Sequence, residues 1–431
     1  MYRKIMDFLE AWKENEHRKP LILQGARQVG KTYSILEFGR THYENIAYFN
    51  FETNPKLNET FEENISPDYL IPILSHIAGQ TIVREKTLIV FDEVQLCERA
   101  LASLKYFCEN APDYHIIVAG SLLGVAVNRA KFSFPVGKVD MKTLYPMDME
   151  EFMLALGEND LVEQIKKCFQ TDTPLPSALH DAAMQLYRQY LVVGGMPECV
   201  MQFAETKDYI LVRHTQDTIL ASYLNDMSKY NNLNEIKKTR LAYDNITVQL
   251  SKKNTRFQYK LIKKGGRASE FENAIEWLCL SGIVSQVYKV EQIKKPLENY
   301  RDIDAFKIYV SDLGLLCAKK ELAANDILYM VEEINDFKGG MAENYVNVQL
   351  SINGYHTYYW ESARGAEIDF IIQRDGQLIP IEVKSADNTR AKSLKVYMDT
   401  YKPAYAIKLS ARNFGFEDNK KIVPLYAAFC I

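Results

Sequence analysis

The chain has no apolar run of membrane-spanning length, no C-x-x-C pair and no H-x-x-x-H spacing. Each absence removes a class of protein. Without about twenty consecutive apolar residues a spanning helix is not expected. The seven cysteines (Cys97, Cys108, Cys168, Cys199, Cys279, Cys317, Cys430) are scattered and odd in number, and the seven histidines are equally dispersed. This usage suits a reducing compartment and gives no zinc signal. Met1 to Lys19 is charged throughout and lacks the apolar centre of a signal peptide, so a cytoplasmic protein is expected. Nor is there an excess of positive charge. A formal net charge of −4 means that any nucleic-acid contact must come from a local patch.

What is present is ordinary for a soluble chain, with 47% hydrophobic and 25% charged residues. A length of 431 residues predicts two to four domains. The distinctive stretch is Gly25-Ala26-Arg27-Gln28-Val29-Gly30-Lys31-Thr32, which fits G-x-x-x-x-G-K-[ST]. Gly25 and Gly30 let the backbone approach phosphate oxygens, and the intervening N–H groups form an anion nest. Lys31 is expected to reach the β- and γ-phosphates, and the Thr32 hydroxyl to take one position around Mg²⁺. Pro20 to Gln24 reads as a buried strand entering the loop, and Lys31 to Phe38 as a helix pointing its N-terminus at the phosphates.

Downstream, strand and helix alternate, the pattern of a parallel sheet covered on both faces. Ile46 to Phe51 is the second strand, and Leu57 to Gln80 is helical material broken at Pro67. Thr87 to Phe91 is a continuous apolar run that delivers Asp92 and Glu93 at its end. Asp92 is expected to hold Mg²⁺ and Glu93 to orient or deprotonate the attacking water; the alternative is an acidic pair capping the next helix. His115 to Ala119 is a fourth strand, beside the phosphate loop, and Ser121 at its tip is either a γ-phosphate sensor or a turn serine. Lys138 to Leu144 is a fifth strand closed by Pro146.

With GARQVGKT, FDEVQ and AGS in these contexts, the chain resembles AAA+-type ATPases. It is similar to a prokaryotic branch in which this module precedes a C-terminal domain of uncharacterised function. The resemblance implies ATP and Mg²⁺ as ligands and a helical lid after the core. Asp148 to Thr206 has that helical pattern, interrupted by a Gly194-Gly195-Met196-Pro197 joint, and Tyr223 to Met227 also looks like this family. One position departs. Relatives carry an arginine near Pro135 to Lys138 that could act as a finger toward a nucleotide. Here Lys138 lacks the bidentate fork. Arg129 is a substitute for that role or a solvated surface residue.

Residues 233–290 read as helix, helix, loop, helix and strands, an order that suits a winged helix. The segment holding Lys252, Lys253, Arg256, Lys260, Lys263, Lys264 and Arg267, with Phe257 and Tyr259 interleaved, is the most basic in the chain. It is either a DNA contact or a solvated charged face.

From Lys338 an amphipathic helix carries Glu343. The stretches Glu367 to Ile372 and Leu378 to Lys384 then form an apparent hairpin around Asp375-Gly376. Glu382 and Lys384 are two apart and project from one strand face, with Asp369 across from them. Together with Glu343 they make either a divalent-metal site or a cross-strand salt-bridged face. The arrangement resembles the PD-(D/E)xK nuclease superfamily. Asp369 and Glu382-Val383-Lys384 match its D…E-x-K positions and Glu343 its helix-borne acid. Arg364-Gly365 adds to the likeness. The resemblance implies Asp369 and Glu382 as metal ligands and Lys384 as a catalytic lysine.

The expected fold is α/β, with an AAA+-type core over 1–147, a helical lid over 148–232, a winged-helix-like module over 233–330 and a nuclease-like domain over 331–431. The expected function is ATP hydrolysis coupled to a domain acting on DNA. The alternative is an ATP-dependent switch or scaffold whose nuclease-like domain does not cut.

Overall fold

The structure, a computed structural model, describes residues 1–120, 134–229, 233–250, 256–385 and 392–431. It divides into two compact units, one of Tyr2–Tyr145 with Leu280–Gly282, the other of Pro146–Cys279 with Ile283–Ile431 and Met1.

In the first unit five parallel strands run β1 (Leu21–Gln24), β2 (Asn45–Asn50), β3 (Thr87–Asp92), β4 (His115–Ala119) and β5 (Asp140–Thr143), in the spatial order β2-β3-β4-β1-β5. The apolar runs of β1, β3 and β4 follow because a parallel strand buried on both faces cannot alternate with polar residues, whereas the edge strands β2 and β5 are partly exposed. The helices are α1 (Ile5–Glu14), α2 (Lys31–His42), α3 (Leu57–Glu63), α4 (Pro67–Ala78) and α5 (Glu98–Asn110). Pro67 opens α4 at its first turn, where a missing N–H costs no hydrogen bond. A cluster of Phe49, Phe51, Phe61 and Phe91, with ring centroids 5.6–6.0 Å apart, packs β2 and β3 against α3. This fixes the strand ends that carry Asn50 and Asp92, which lie in register. β4 pairs with β1, so the segment leading to Ser121 does lie beside the phosphate-loop strand. Ser121 and Arg129 are outside the described residues.

The second unit starts with α6 (Met149–Ala155), α7 (Asn159–Thr171), α8 (Ser177–Val193), α9 (Pro197–Thr206) and α10 (Tyr209–Lys229). Asp148 and Glu151 form a reciprocal capping box that starts α6. Gly194-Gly195 is a packed joint. A Cβ on Gly195 would stand 2.1 Å from the Met147 carbonyl, and the Gly195 N–H donates to Asp312 Oδ2 at 2.6 Å. The sequence predicts two helices at the start of 233–290; one continuous helix, α11 (Leu233–Gln249), is found there. A single-turn 3-10 segment and α12 (Ala268–Leu280) follow.

The remaining strands form one mixed eight-stranded sheet: β6 (Val284–Val290), β7 (Arg301–Val310), β8 (Tyr358–Glu361), β9 (Glu367–Arg374), β10 (Gln377–Val383), β11 (Ala406–Ser410), β12 (Gly415–Glu417) and β13 (Lys420–Pro424). Its order is β12-β13-β11-β10-β9-β8-β6-β7, so the β6–β7 hairpin shares a sheet with the C-terminal strands. α13 (Leu313–Lys319), α14 (Ala324–Leu328), α15 (Asn335–Ile352) and α16 (Lys392–Tyr401) complete the unit. The expected β9–β10 hairpin is present. Asp375 and Gly376, at φ 48° and 72°, take the left-handed turn that suits the twist of paired strands. Among the described residues no helix is long and apolar enough to cross a membrane.

Candidate functional site

The first site lies at the C-terminal end of the parallel sheet. Gly25 sits at φ 146°, and a Cβ there would stand 2.1 Å from the Leu144 carbonyl, so only glycine fits. Gly30, at φ 91°, turns the chain into α2. Ala26 and Val29 are buried and anchor the loop from below, while Lys31 Nζ donates to the carbonyls of Gly25 and Ala26 at 2.9 and 2.7 Å. Arg27 and Gln28 complete the loop, Gln28 with a left-handed φ of 65°.

Thr32 Oγ1 donates to Asp92 Oδ2 at 2.8 Å, which brings the loop's hydroxyl onto the carboxylate at the end of β3. The same oxygen accepts the Tyr48 hydroxyl at 2.8 Å, and Asn50 Nδ2 supports Tyr48 from 3.2 Å. Burial pushes the Tyr48 hydroxyl up to about 12, with Asp92 adding to the rise. Tyr48 lies outside the sequence reading, although its place two residues before Asn50 on the same strand face was a usable signal. Glu93 turns off the strand at φ 52°, and its carboxylate accepts the Gln95 side-chain amide. A hydroxyl and a carboxylate that already share a hydrogen bond, next to a lysine and a glycine nest, fit a magnesium ion carrying a nucleotide triphosphate. Lys138 is paired with Glu109 of α5 at 2.9 Å.

The second cluster lies on the eight-stranded sheet. Asp369 Oδ2 accepts the Val383 N–H at 2.7 Å, which ties it to the E-x-K strand. Burial pushes the Asp369 carboxyl well above the usual range, and Glu343 and Glu382 add to it. Glu382 is 3% exposed; Oε1 pairs with Lys384 Nζ, and Oε2 is buried with no hydrogen-bond partner. Burial also raises Glu382, against the pull of Lys384. Burial lowers Lys384, but Glu382 and Asp369 outweigh it and hold the ammonium above its ordinary value.

Glu343, on α15, faces a residue that the sequence reading did not name. Lys307 of β7 is 1% exposed and lies 3.4 Å from Glu343 and 2.5 Å from Glu367. The Tyr309 hydroxyl donates to Glu343 at 3.0 Å. Burial pulls the Lys307 ammonium down, yet Glu343 and its neighbours hold it well above its ordinary value. The available signal was a lysine inside Ala305–Val310, a run otherwise apolar except for Tyr309 and buried throughout. Among the described residues no three His, Cys, Asp or Glu side chains are arranged to hold a metal ion. Asp369 and Glu382 remain as a pair. The orphaned Glu382 oxygen suits a cation whose other positions are filled by water or substrate oxygens.

In the basic segment Arg256, Lys260, Lys263, Lys264 and Arg267 are exposed, and Lys263 pairs with Glu270 at 3.3 Å. Lys252 and Lys253 are outside the described residues. Phe257 is buried and stacks on Phe306 at 5.6 Å, with Tyr259 edge-on at 5.3 Å. Phe257 packs the interior, and Tyr259 is half-buried beside it.

Residues 17–153 match the family described as an AAA domain. Residues 184–326 and 338–428 match two families described as domains of unknown function, DUF8612 and DUF4143. No curated protein matches the chain. Among solved structures, the Walker-type ATPase PABY2304 of Pyrococcus abyssi is 14% identical; the match covers 74% of this chain and 95% of that one, with a TM-score of 0.45. The Aeropyrum pernix ORC1 protein in complex with DNA is 12% identical over 74% and 91%, with a TM-score of 0.30. The Thermotoga maritima RuvB Holliday junction branch migration motor is 16% identical over 65% and 87%, with a TM-score of 0.28. Residues 17–153, the AAA-domain match, thus coincide with the parallel α/β sheet that carries the phosphate loop.

Proposed function

We propose that the chain hydrolyses ATP at the end of the parallel sheet and that turnover gates a nuclease-like C-terminal domain acting on DNA. The observation that carries the ATPase half is the Thr32–Asp92 hydrogen bond, which joins the phosphate loop to the strand-end acids. Lys31 and the loop N–H groups of Gly25 to Thr32 hold the phosphates, Thr32 and Asp92 hold magnesium, and Glu93 orients the attacking water and takes its proton. Magnesium there neutralises charge developing on the phosphate oxygens. Ser121 and a finger residue belong to the same reading.

For the C-terminal half, Asp369 and Glu382 hold a divalent cation, and Lys384 steadies the nucleophile. Such a cation activates water and stabilises the leaving oxygen. The winged-helix reading of 233–330 draws support from α11, α12 and the β6–β7 hairpin, and the exposed lysines and arginines between them suit phosphate contacts. The four-part division at 147, 232 and 330 belongs to the same proposal.

One observation favours a second reading, a switch or scaffold that binds without cutting. Glu343 already carries a lysine partner in Lys307. A cleavage assay separates the two. Linear, supercoiled and branched DNA are incubated with the protein and Mg²⁺ or Mn²⁺, with and without ATP, beside an Asp369→Ala, Lys384→Ala variant. Metal-dependent cutting that the variant lacks is expected. A folded, ATP-hydrolysing protein that cuts none of the substrates leaves the switch.

A further inference from the structure

Four carboxylates and two ammonium groups meet on one region of the eight-stranded sheet: Glu343, Glu367, Asp369 and Glu382 against Lys307 and Lys384. The acids outnumber the lysines by two. The two lysines divide the acids unevenly. Lys384 engages one oxygen of Glu382 and leaves the other buried without a partner. Lys307 takes both Glu343 and Glu367 and, at 1% exposed, is almost out of reach of solvent. Its ammonium also lies 5.1 Å from the centre of the Tyr359 ring. A buried ammonium is retained only where its partners compensate the loss of water, and here the partners are two acids and an aromatic face.

From this geometry we infer that Lys307 is a built-in cation of the cluster. It neutralises Glu343 and Glu367, leaves the divalent cation to Asp369 and Glu382, and sets the affinity of that site by repulsion. The inference rests on the metal-site reading above. Lys307 is a positioning residue and touches no reacting atom. Glu343 is held by Lys307 and Tyr309 instead of acting as a third ligand.

The test is Mn²⁺ affinity, read by electron paramagnetic resonance on the full chain without nucleotide. Glu382→Gln reports the binding that belongs elsewhere in the molecule. Replacing Lys307 by methionine removes the charge and keeps the length, and the Glu382-dependent affinity is expected to tighten at least about tenfold. Lys307→Arg keeps the charge and is expected to stay within about threefold of the native protein. A purely structural role predicts the opposite sign for the methionine variant, because a damaged site binds metal more weakly. Should Lys307→Met not fold, Lys307→Gln carries the same expectation with a head group that can still donate to Glu343. Glu382-dependent binding in the native protein with unchanged or weaker affinity in the neutral variants overturns the Lys307 inference alone. No Glu382-dependent binding in any variant overturns the metal-site reading, and the competition falls with it. Binding that appears only when Lys307 is neutral supports both.

Discussion

Asp92 and Asp369 are both strand carboxylates with less than a tenth of their surface exposed, yet they are satisfied by different partners. Asp92 receives two hydroxyls on Oδ2, from Thr32 and Tyr48, and the Glu93 N–H on Oδ1. Asp369 receives one backbone N–H and shares its surroundings with two further acids and two lysines. Neutral donors orient a carboxylate without neutralising it, so the charge of Asp92 stays available to a cation. In the second cluster the protein supplies two ammonium groups itself. On the proposed reading, the same residue type serves one edge as a ligand for magnesium and nucleotide and the other as part of a lysine-paired cluster in which metal must compete.

The largest effects expected from this contrast lie at the proposed nucleotide edge. Lys31→Ala is expected to abolish nucleotide binding in an equilibrium titration. Glu93→Gln is expected to keep binding while turnover falls by about 10²–10⁴-fold. Tight ATP binding by the alanine variant would sink the phosphate-loop assignment, and undiminished turnover by the glutamine variant would remove Glu93 from its role.

Asp312 separates burial from ion pairing. It is buried like Asp369, but the contacts described for it are backbone N–H groups, those of Gly195 and Leu315 at 2.6 and 2.8 Å among them. Burial raises its carboxyl to about 6 from the ordinary 3.8. Below about pH 4 both folded and unfolded chains hold this proton; between there and pH 6 the unfolded chain has lost it and the folded chain keeps it. Rising pH therefore destabilises the fold through this group, by about 3 kcal/mol in all, with the loss complete above pH 6. Urea unfolding of the native protein and Asp312→Asn between pH 4 and 8 measures it. The native chain should lose its advantage over the variant across that window, and a constant difference would contradict the expectation.

The smallest effect tests whether hydroxyl donors only orient Asp92. Tyr48→Phe removes one of the two and should weaken magnesium-dependent ATP affinity by about three- to tenfold, with nucleotide affinity in EDTA unchanged. An equal loss with and without magnesium would assign Tyr48 to the loop's packing instead.

The same contrast explains what could be read before the structure. Gly25 to Thr32 act through eight consecutive residues, and Thr87 to Glu93 through one apolar run and the acids at its end. Their local pattern already contains the geometry. Lys307 reaches Glu343 from 36 residues away, and β6 meets β8 through only Tyr288–Tyr358 and Lys289–Tyr359. No periodicity marks such pairings, which is why 233–330 and 331–431 read as separate modules although their strands share one sheet. Nor could the sequence show that Phe257 and Tyr259, set between lysines, meet Phe306 of a distant strand.

The Gly195 joint sets an order of events during synthesis. Its N–H waits for the Asp312 carboxylate, 117 residues further along the chain. At a ribosomal rate of about 5–20 residues per second that distance takes roughly 6–23 s to emerge. Through that interval α6 to α10 can form their turns and meet one another, but the latch joining Met147, Gly195 and Asp312 cannot close. That bond can close only once the start of α13 has left the ribosome.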